Sequence, residues 1–379
     1  MELEKEFFMR NPNPYAQTDW EKNERIHTTT HTHLINQELL DIALEKGYEL
    51  LTLSNYYPSV PYYPLSSVKV NSFCGCQKWG IRYKDEFIEG PINWNEIIAE
   101  WKDILPEEQR RNFPFAEGEP VFQPLPEGIL EAPNAEHHNF IDCYFIERGF
   151  HVTAPGAMWA SGYFDVRNKY LLKDHGYQNG SGLPWKEAFR RILDSLKWKD
   201  GGGIIINHPA SSRIPLDFLL EVLDYDDRVL GIEVWNTSLS SEGIWDSILR
   251  TGRQCFGFFV PDHYNDRSMM YNPMNIVLPE ERTAYACMKA YRTGSFYGCL
   301  FNSGLAFEKI VFDGERLFVK TNKDAFIEVI GSPGVLAYSR GNELAYSLSM
   351  AKEKIVYLRV KASDGTGETI YSQPMMLSR

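Results

Sequence analysis

Strand-like apolar runs alternate with amphipathic helical segments through the first two thirds of the chain, and this alternation constrains the fold most strongly. Residues 203–207 (GIIIN) are almost wholly apolar, and residues 186–197 before them carry apolar side chains at helical spacing. Residues 229–235 and 255–260 repeat the apolar pattern, with helical segments between them. Helices that connect parallel strands build an α/β barrel or an open doubly wound sheet. The sequence therefore predicts an α/β fold.

The same alternation begins near the start of the chain. Residues 25–30 are rich in Thr and predict a strand. Residues 37–46 place their leucines on one face and predict a helix, with Gly47 as its C-cap. Residues 49–54 (ELLTLS) then predict a short buried strand. These segments form the first strand–helix–strand unit of the predicted fold.

The pattern is interrupted once and changes character near residue 298. An insertion rich in proline and aromatic residues occupies about 56–127. After residue 298, short β-rich runs are separated by Asp-Gly, Ser-Pro-Gly and Arg-Gly-Asn turns, and no helical period remains. We therefore predict a first domain over 1–298 and a small antiparallel β-sandwich of immunoglobulin-like type over 299–379.

Charge and composition exclude several classes of function. The 379 residues contain 39 Lys and Arg against 51 Asp and Glu, a net charge of −12. A long nucleic acid or an anionic membrane is therefore not an expected partner, since both require a cationic face. No run approaches the roughly 18 apolar residues of a membrane span. The charged start and the few cysteines (six) lead us to expect a cytoplasmic protein.

The nine histidines carry the main functional signal, and two of them follow the first predicted strand. His31 and His33 form an H-x-H pair, which on an extended segment directs both imidazoles to the same face. Two neutral imidazoles on one side are half of a Zn, Mn or Fe site. A pair of surface or hydrogen-bonding histidines is the alternative.

Other metal-ligand side chains lie near the ends of further predicted strands, where α/β folds place their sites. Each alone has a structural alternative: a buried histidine bonded to a carbonyl, an Asp-capped turn, or a solvated loop. Together they predict a metal site. They are His208 after GIIIN, Asp262 and His263 after residues 255–260, and Glu131, Glu136, His137 and His138 before a predicted strand at 140–145.

The order of these motifs resembles the PHP (polymerase and histidinol phosphatase) superfamily of metal-dependent phosphoesterases. The segments ALEKGYELLTLS and GIEVWN are similar to sequence segments of that family, and the resemblance covers about residues 20–298. The C-terminal piece, with its Ser372-Gln373-Pro374 segment, resembles the β-sandwich appended to some members. The resemblance implies a distorted seven-stranded β/α barrel with a metal cluster inside its mouth.

The resemblance also assigns metal ligands to positions of this chain, and it leaves the bridging carboxylate open between two glutamates. The implied ligands are His31, His33 and Asp262 for a first metal, Glu131 or Glu136 for the bridge, His138 and His208 for a second metal, and His263 for a third.

Two positions depart from the family pattern. Asn55-Tyr56 stands where the family has Asp-His, and Asp262 and His263 are adjacent where the family has D-x-H. Both departures affect the third metal most. We therefore expect one or two divalent ions (Zn, Mn or Fe) rather than three.

The implied reaction is hydrolysis of a phosphate mono- or diester of a small molecule by a metal-activated water. No G-x-S-x-G elbow or phosphate-binding loop suggests a protein nucleophile. Asp262 or His263 is the expected catalytic group for proton transfer to the leaving group. Arg213, Arg267 and Tyr56 are the expected substrate contacts, with loop arginines that only solvate or form ion pairs as the alternative.

Two other functions remain open at this stage. The chain could be a degenerate, non-catalytic relative that binds carbohydrate through aromatic residues of the insertion. Hydrolysis of an amide, as in amidohydrolase barrels, is less favoured, because no metal-bridging lysine candidate stands at a strand end. The sequence predicts no oligomeric state. The aromatic residues in question are Tyr56, Tyr57, Tyr62, Tyr63 and Trp79.

Overall fold

Contacts between Cα atoms divide the chain into two compact units. Unit 1 consists of Met1–Thr29 and Ile205–Arg379, and unit 2 of Thr30–Ile204. The predicted domain boundary near residue 298 lies inside unit 1 and stays a prediction. The computed structural model describes residues 11–34, 36–54, 63–67, 82–83, 86–87, 120–138, 140–159, 162–164, 177–179, 181, 183–263, 266–351 and 354–377.

Strands and helices are numbered here in chain order. The strands are β1 (Ile26–Thr28), β2 (Thr32–His33), β3 (Leu50–Leu51), β4 (Arg82–Tyr83), β5 (Glu86–Phe87), β6 (Leu130–Glu131), β7 (Glu136–His137), β8 (Val152–Thr153), β9 (Gly162–Phe164), β10 (Tyr177–Asn179), β11 (Ile204–Ile206), β12 (Val229–Asn236), β13 (Leu239–Ser240), β14 (Phe256–Val260), β15 (Asp262–His263), β16 (Met274–Val277), β17 (Phe296–Leu300), β18 (Phe307–Phe312), β19 (Arg316–Gly331), β20 (Gly334–Ser347), β21 (Tyr357–Ser363), β22 (Thr369–Ser372) and β23 (Met375–Met376). The helices are α1 (Gln37–Glu45), α2 (Trp185–Asp194), α3 (Pro209–Ser212), α4 (Leu216–Leu223), α5 (Glu242–Arg250), α6 (Asp266–Tyr271) and α7 (Ala284–Thr293).

Unit 1 contains a parallel strand pair of the predicted kind. β12 and β14 run parallel, with Gly231 opposite Phe256 and Asn236 opposite Val260. The connecting helix α5 contacts β12, as α4 does, and both helices bury apolar side chains. Burial of each such Leu, Val or Phe contributes roughly 1.5–3 kcal/mol. Because the pair is parallel, the carboxyl ends of β12 and β14 reach the same edge.

Unit 1 also contains a continuous antiparallel sheet in the order β18-β19-β21-β22-β17-β16-β1. β20 pairs with β19, and β23 pairs with β21. The strands after residue 298 therefore pair directly with β17, which precedes them, through β22. The immunoglobulin-like sandwich stays a prediction.

The long hairpin β19–β20 confirms one predicted turn and corrects another. The Ser-Pro-Gly segment lies at its tip, where Gly331 pairs with Gly334 across a two-residue loop. The predicted Arg-Gly-Asn turn is wrong, because β20 runs through Gly341 to Ser347. Gly341 has φ 144°, and the register shifts beside it, since residues between Lys320 and Ala325 bulge on the partner strand. A glycine inside a strand here marks a bulge.

Unit 2 contains the short strands β2 to β10 and the helices α1 and α2. β3 and β6 are parallel, whereas β7 and β8 form an antiparallel pair. The predicted strand at 140–145 is wrong: these residues form successive turns, with Ile141, Tyr144 and Phe145 exposed. Most of the predicted insertion lies outside the described residues.

The described residues form a mixed α/β protein with several sheets, as the alternation predicted. Their strand pairings close no barrel, so the seven-stranded barrel stays a prediction. Among these residues, no helix combines the length and apolar character that crossing a bilayer requires.

Candidate metal centre

The two histidines of the H-x-H pair lie side by side in unit 2. Both are buried, and their Nε2 atoms are 3.2 Å apart. The segment between them is fixed by Ser54: the Thr32 N–H donates to Ser54 Oγ at 2.9 Å, and the Thr32 carbonyl accepts from Ser54 N–H at 3.0 Å. The extended backbone of β2 thus directs both imidazoles to one face, as predicted.

Glu136 brings a carboxylate to the same point. Its Oε2 lies 3.1 Å from His33 Nε2 and 3.3 Å from His31 Nε2, and its side chain is buried. The Glu136 N–H donates to the Ser54 carbonyl at 2.9 Å. The backbone around Ser54 therefore anchors both sides of the cluster. These three residues form a group whose ligand atoms all lie within 4.8 Å of one another.

His151, which belongs to none of the sequence motifs above, contacts the other oxygen of the same carboxylate. Its Nδ1 lies 2.9 Å from Glu136 Oε1, and its side chain is 21% exposed. β7 and β8 pair with His137 opposite Val152, which places His151 beside β7 near its carboxyl end. The twelve residues between His138 and His151 contain no local pattern that fixes this pairing, so only the hairpin register reveals the histidine.

His138 and His137 point to opposite sides, since side chains alternate along an extended segment. The His138 ring lies 4.8 Å from the His151 ring, edge to face, whereas the His137 ring stacks on Trp159 at 5.5 Å. The pKa of each of these two histidines is lowered to about 3, by burial in both cases and, for His138, also by the proximity of His151. Both imidazoles are therefore neutral near pH 7, the state in which an imidazole binds a metal.

Glu131 lies outside the three-residue group. Its Oε2 accepts the Leu65 N–H at 2.8 Å, and its side chain is half-buried. Of the two glutamates left open by the sequence, the structure places Glu136 against His31 and His33. The role of Glu131 as a ligand stays a prediction.

The other predicted ligands, His208, Asp262 and His263, belong to unit 1. His208 adopts φ 31°, its N–H donates to Glu233 Oε2 at 2.6 Å, and its Nδ1 lies 2.9 Å from Ser212 Oγ. Asp262 has φ 58°, and its Oδ1 lies 3.7 Å from Nε2 of the exposed His263. Their roles as ligands and proton donors stay predictions.

The predicted substrate contacts fall in different parts of the chain. Arg213 is exposed with φ 54°, directly after α3. The backbone of Arg267 lies in α6, and Tyr56 lies outside the described residues. Their roles in binding substrate stay predictions, as does the aromatic carbohydrate surface, most of which also lies outside the described residues.

The three-residue group fits a divalent metal ion by its chemistry. Two imidazole nitrogens and one carboxylate oxygen are the donor set of Zn, Mn and Fe sites. Ligands about 2.1 Å from a tetrahedral ion stand about 3.4 Å from one another. The observed separations of 3.1–3.3 Å are close to this value. The three side chains would need to move apart only slightly to hold one ion between them.

Comparisons with known proteins add little to this geometry. No protein-family model and no curated protein matches the chain. A similar solved structure is a two-domain protein containing a predicted PHP-like metal-dependent phosphoesterase from Bacteroides vulgatus. It is 14% identical over 91% of each chain, with a TM-score of 0.40. A likeness at this level decides neither the fold nor the function of the chain.

Proposed function

We propose that the chain is a metal-dependent hydrolase that acts on a phosphate mono- or diester of a small molecule. The proposal rests on the proximity of three buried side chains. The ligand atoms of His31, His33 and Glu136 all lie within 4.8 Å of one another. Buried charges are otherwise costly unless they are paired or coordinate a metal. We expect the protein to bind one or two ions of Zn, Mn or Fe.

The side chains of the centre have separable tasks. His31 and His33 present two nitrogens, and Glu136 presents one oxygen to them and the other to His151. The contact between His151 and Glu136 orients the carboxylate, as a hydrogen bond to a ligating group does. A divalent ion, when bound, supplies Lewis acidity and makes water a nucleophile at neutral pH.

We also propose His138, His208 and Asp262 as metal ligands, as the family resemblance implies, and other side chains would act on the substrate. Asp262 or His263 would transfer a proton to the leaving group, and His263 is 56% exposed and so reaches solvent. Arg213 and Arg267 would hold phosphate oxygens, since a guanidinium binds two of them at once. The family resemblance and the position after strand ends support these roles.

The net charge of −12 supports a small substrate. A polynucleotide meets the whole protein surface and is repelled by it, whereas a small phosphate meets only the site. Bound divalent cations would invert the local charge there. We therefore propose a small phosphorylated molecule and no long nucleic acid as partner.

The test combines metal analysis with an activity screen on the full chain. We expect the purified wild type to carry Zn, Mn or Fe by elemental analysis and to hydrolyse small phosphate mono- or diesters when Mn²⁺ or Zn²⁺ is supplied. His31→Ala and His208→Ala should each lower metal content and reduce kcat/KM at least about tenfold.

Glu368→Gln is the matched control, since Glu368 is a buried carboxylate of unit 1 bonded to the Ser303 and Leu305 N–H groups. It should lose stability but keep metal content. A wild type that binds no transition metal, with His31→Ala behaving identically, would refute the proposal. A chain that binds metal and turns over no phosphoester would instead be a non-catalytic binding protein.

A further inference from the structure

A bonded pair of polar side chains, Glu233 and Asn236, lies at the carboxyl end of β12 in unit 1. Glu233 is fully buried, and Asn236 is 8% exposed. Asn236 Nδ2 donates to Glu233 Oε2 at 2.8 Å. Strict alternation would direct side chains three residues apart to opposite faces of a strand. The register of β12 against β14 shifts between Glu233 and Trp235, and this bulge brings the two side chains together.

The pair reaches the residues that follow two neighbouring strands. Glu233 Oε2 accepts the His208 N–H at 2.6 Å, after β11. Asn236 Nδ2 also donates to Asp262 Oδ2 at 3.1 Å, after β14. One amide thus bonds to two carboxylates, and one of these carboxylates holds the backbone of His208. His208 and Asp262 are both ligands implied by the family resemblance.

The backbone at these strand ends is held in an uncommon conformation. His208, Thr237 and Asp262 have φ of 31°, 54° and 58°, the left-handed region that non-glycine residues rarely adopt. Such conformations persist where the surrounding structure over-determines them, and they cluster at functional sites. Here the Thr237 hydroxyl lies 2.9 Å from the Pro261 carbonyl and 3.1 Å from Asn236 Oδ1, which ties the end of β12 to the segment carrying Asp262.

We propose that Asn236, supported by Glu233, is a positioning residue that fixes the Asp262 carboxylate and, through Glu233, the backbone of His208 for metal binding. The proposal rests on the proposed function, because it takes His208 and Asp262 as ligands. Asn236 itself touches no reacting atom in this role. Its donated hydrogen bond holds Asp262 Oδ2, whereas Oδ1 lies 3.7 Å from His263 Nε2.

The test measures the affinity for Mn²⁺ and Zn²⁺ by competition with a chromophoric chelator, at a temperature well below Tm, on the full chain. Asn236→Leu keeps the branched shape of the side chain, although leucine is larger, and removes both donated bonds. We expect it to raise the metal Kd about tenfold or more, the usual effect of losing a group that orients a ligand. Asn236→Ser, which is smaller and cannot bridge both carboxylates, should raise it similarly if the leucine variant does not fold.

Asn275→Leu is the matched control. Asn275 is a fully buried asparagine of β16 that bonds both the N–H and the carbonyl of Phe259 in β14. It should lower Tm and leave the metal Kd within about twofold of wild type. The proposal is overturned if a folded Asn236 variant binds metal as wild type does, or if Asn275→Leu weakens binding equally. If the wild type binds no metal, the proposed function fails as well. If His31→Ala loses metal binding but the Asn236 variants bind metal as wild type does, only the positioning role is refuted.

Discussion

One carboxylate, that of Glu136, contacts His33 and His31 through Oε2 and His151 through Oε1. Glu136→Gln keeps the shape but removes the charge and one oxygen. We expect the affinity for Zn²⁺ or Mn²⁺ to fall at least about tenfold, since loss of a mere orienting partner already costs about 10–100-fold. Competition titration with a chelator measures the change.

Glu131→Gln is the matched control for this variant, because the same substitution then falls on the other glutamate that the sequence left open. Glu131 accepts the Leu65 N–H, and a glutamine oxygen accepts the same bond. Its metal affinity should stay close to wild type. A larger loss in Glu131→Gln than in Glu136→Gln would make Glu131 the ligand and contradict the assignment.

At the residue scale, the sequence predicts what depends on local periodicity and misses what depends on pairing. The shared face of His31 and His33 follows from the two-residue repeat of an extended segment, and the structure places them together. The choice of Glu136 over Glu131 depends on the bond from Glu136 to Ser54, eighty-two positions away along the chain. His151 joins through the register of β7 and β8. No local sequence signal encodes either contact.

The close pairing of β12 and β14 depends on a missing side chain. A Cβ built at Gly231 would lie 1.9 Å from the Phe256 carbonyl oxygen, a backbone atom of the neighbouring strand. Gly231→Ala therefore forces the strands apart, and we expect it to lower the free energy of unfolding by about 1–3 kcal/mol or more. Urea denaturation monitored by circular dichroism measures this loss.

The same substitution at Gly243 should have the opposite sign. Gly243 lies in α5, and a Cβ there meets no atom within 4 Å. Alanine is favoured over glycine in a helix by roughly 0.5–1 kcal/mol. If Gly243→Ala were as destabilising as Gly231→Ala, the contact between the strands would not be the cause.

An ion pair between β19 and the segment linking β21 to β22 gives a pH-dependent contribution to stability. Lys323 Nζ lies 2.8 Å from Asp364 Oδ2. Burial raises the pKa of Asp364, but the hydrogen bond from Lys323 and those from Thr366 outweigh it, and the pKa falls to about 2 from its ordinary value of 3.8. The unfolded chain therefore binds more protons between pH 4 and 2, and this stabilisation is present above pH 4 and lost toward pH 2.

Asp364→Asn should remove that part of the acid dependence. We expect the variant to be less stable than wild type at pH 7 and the difference to shrink as the pH falls from about 4 to about 2. Thermal melts at a series of pH values, with Asp324→Asn as an exposed control, measure it. A difference that stays constant over this window would show that the ion pair does not set the slope.

At the element scale, the predicted helices agree with the structure because their signals are local. The helix predicted at 37–46 is observed as Gln37–Glu45, and Gly47 follows it with φ 95°, as a C-cap requires. The predictions failed where the same local sequence pattern is compatible with two different structures. The glycine-containing segment 340–342 continues β20 opposite a bulge in β19, and the apolar run at 140–145 forms turns, since no strand among the described residues pairs with it.

At the scale of the whole molecule, metal binding and folding are linked. A metal that binds the folded chain and not the unfolded chain stabilises it by RT ln(1 + [L]/Kd), about 2.7 kcal/mol when the free metal is 100 times Kd. The centre unites residues that are far apart in sequence, His31 and Glu136, so unfolding separates them. The unfolded chain should therefore bind the ion much more weakly.

We expect a chelator to lower Tm of the wild type by several degrees and added Mn²⁺ or Zn²⁺ to restore it. Glu136→Gln should show neither change, because its Tm no longer depends on the metal. Glu368→Gln, which lowers stability elsewhere, should keep the full metal-dependent shift, since linkage depends on Kd and not on the starting stability. Differential scanning calorimetry at fixed protein concentration measures all three. Equal shifts in wild type and Glu136→Gln would place the bound metal away from His31, His33 and Glu136, and the catalytic proposal would lose the observation on which it rests.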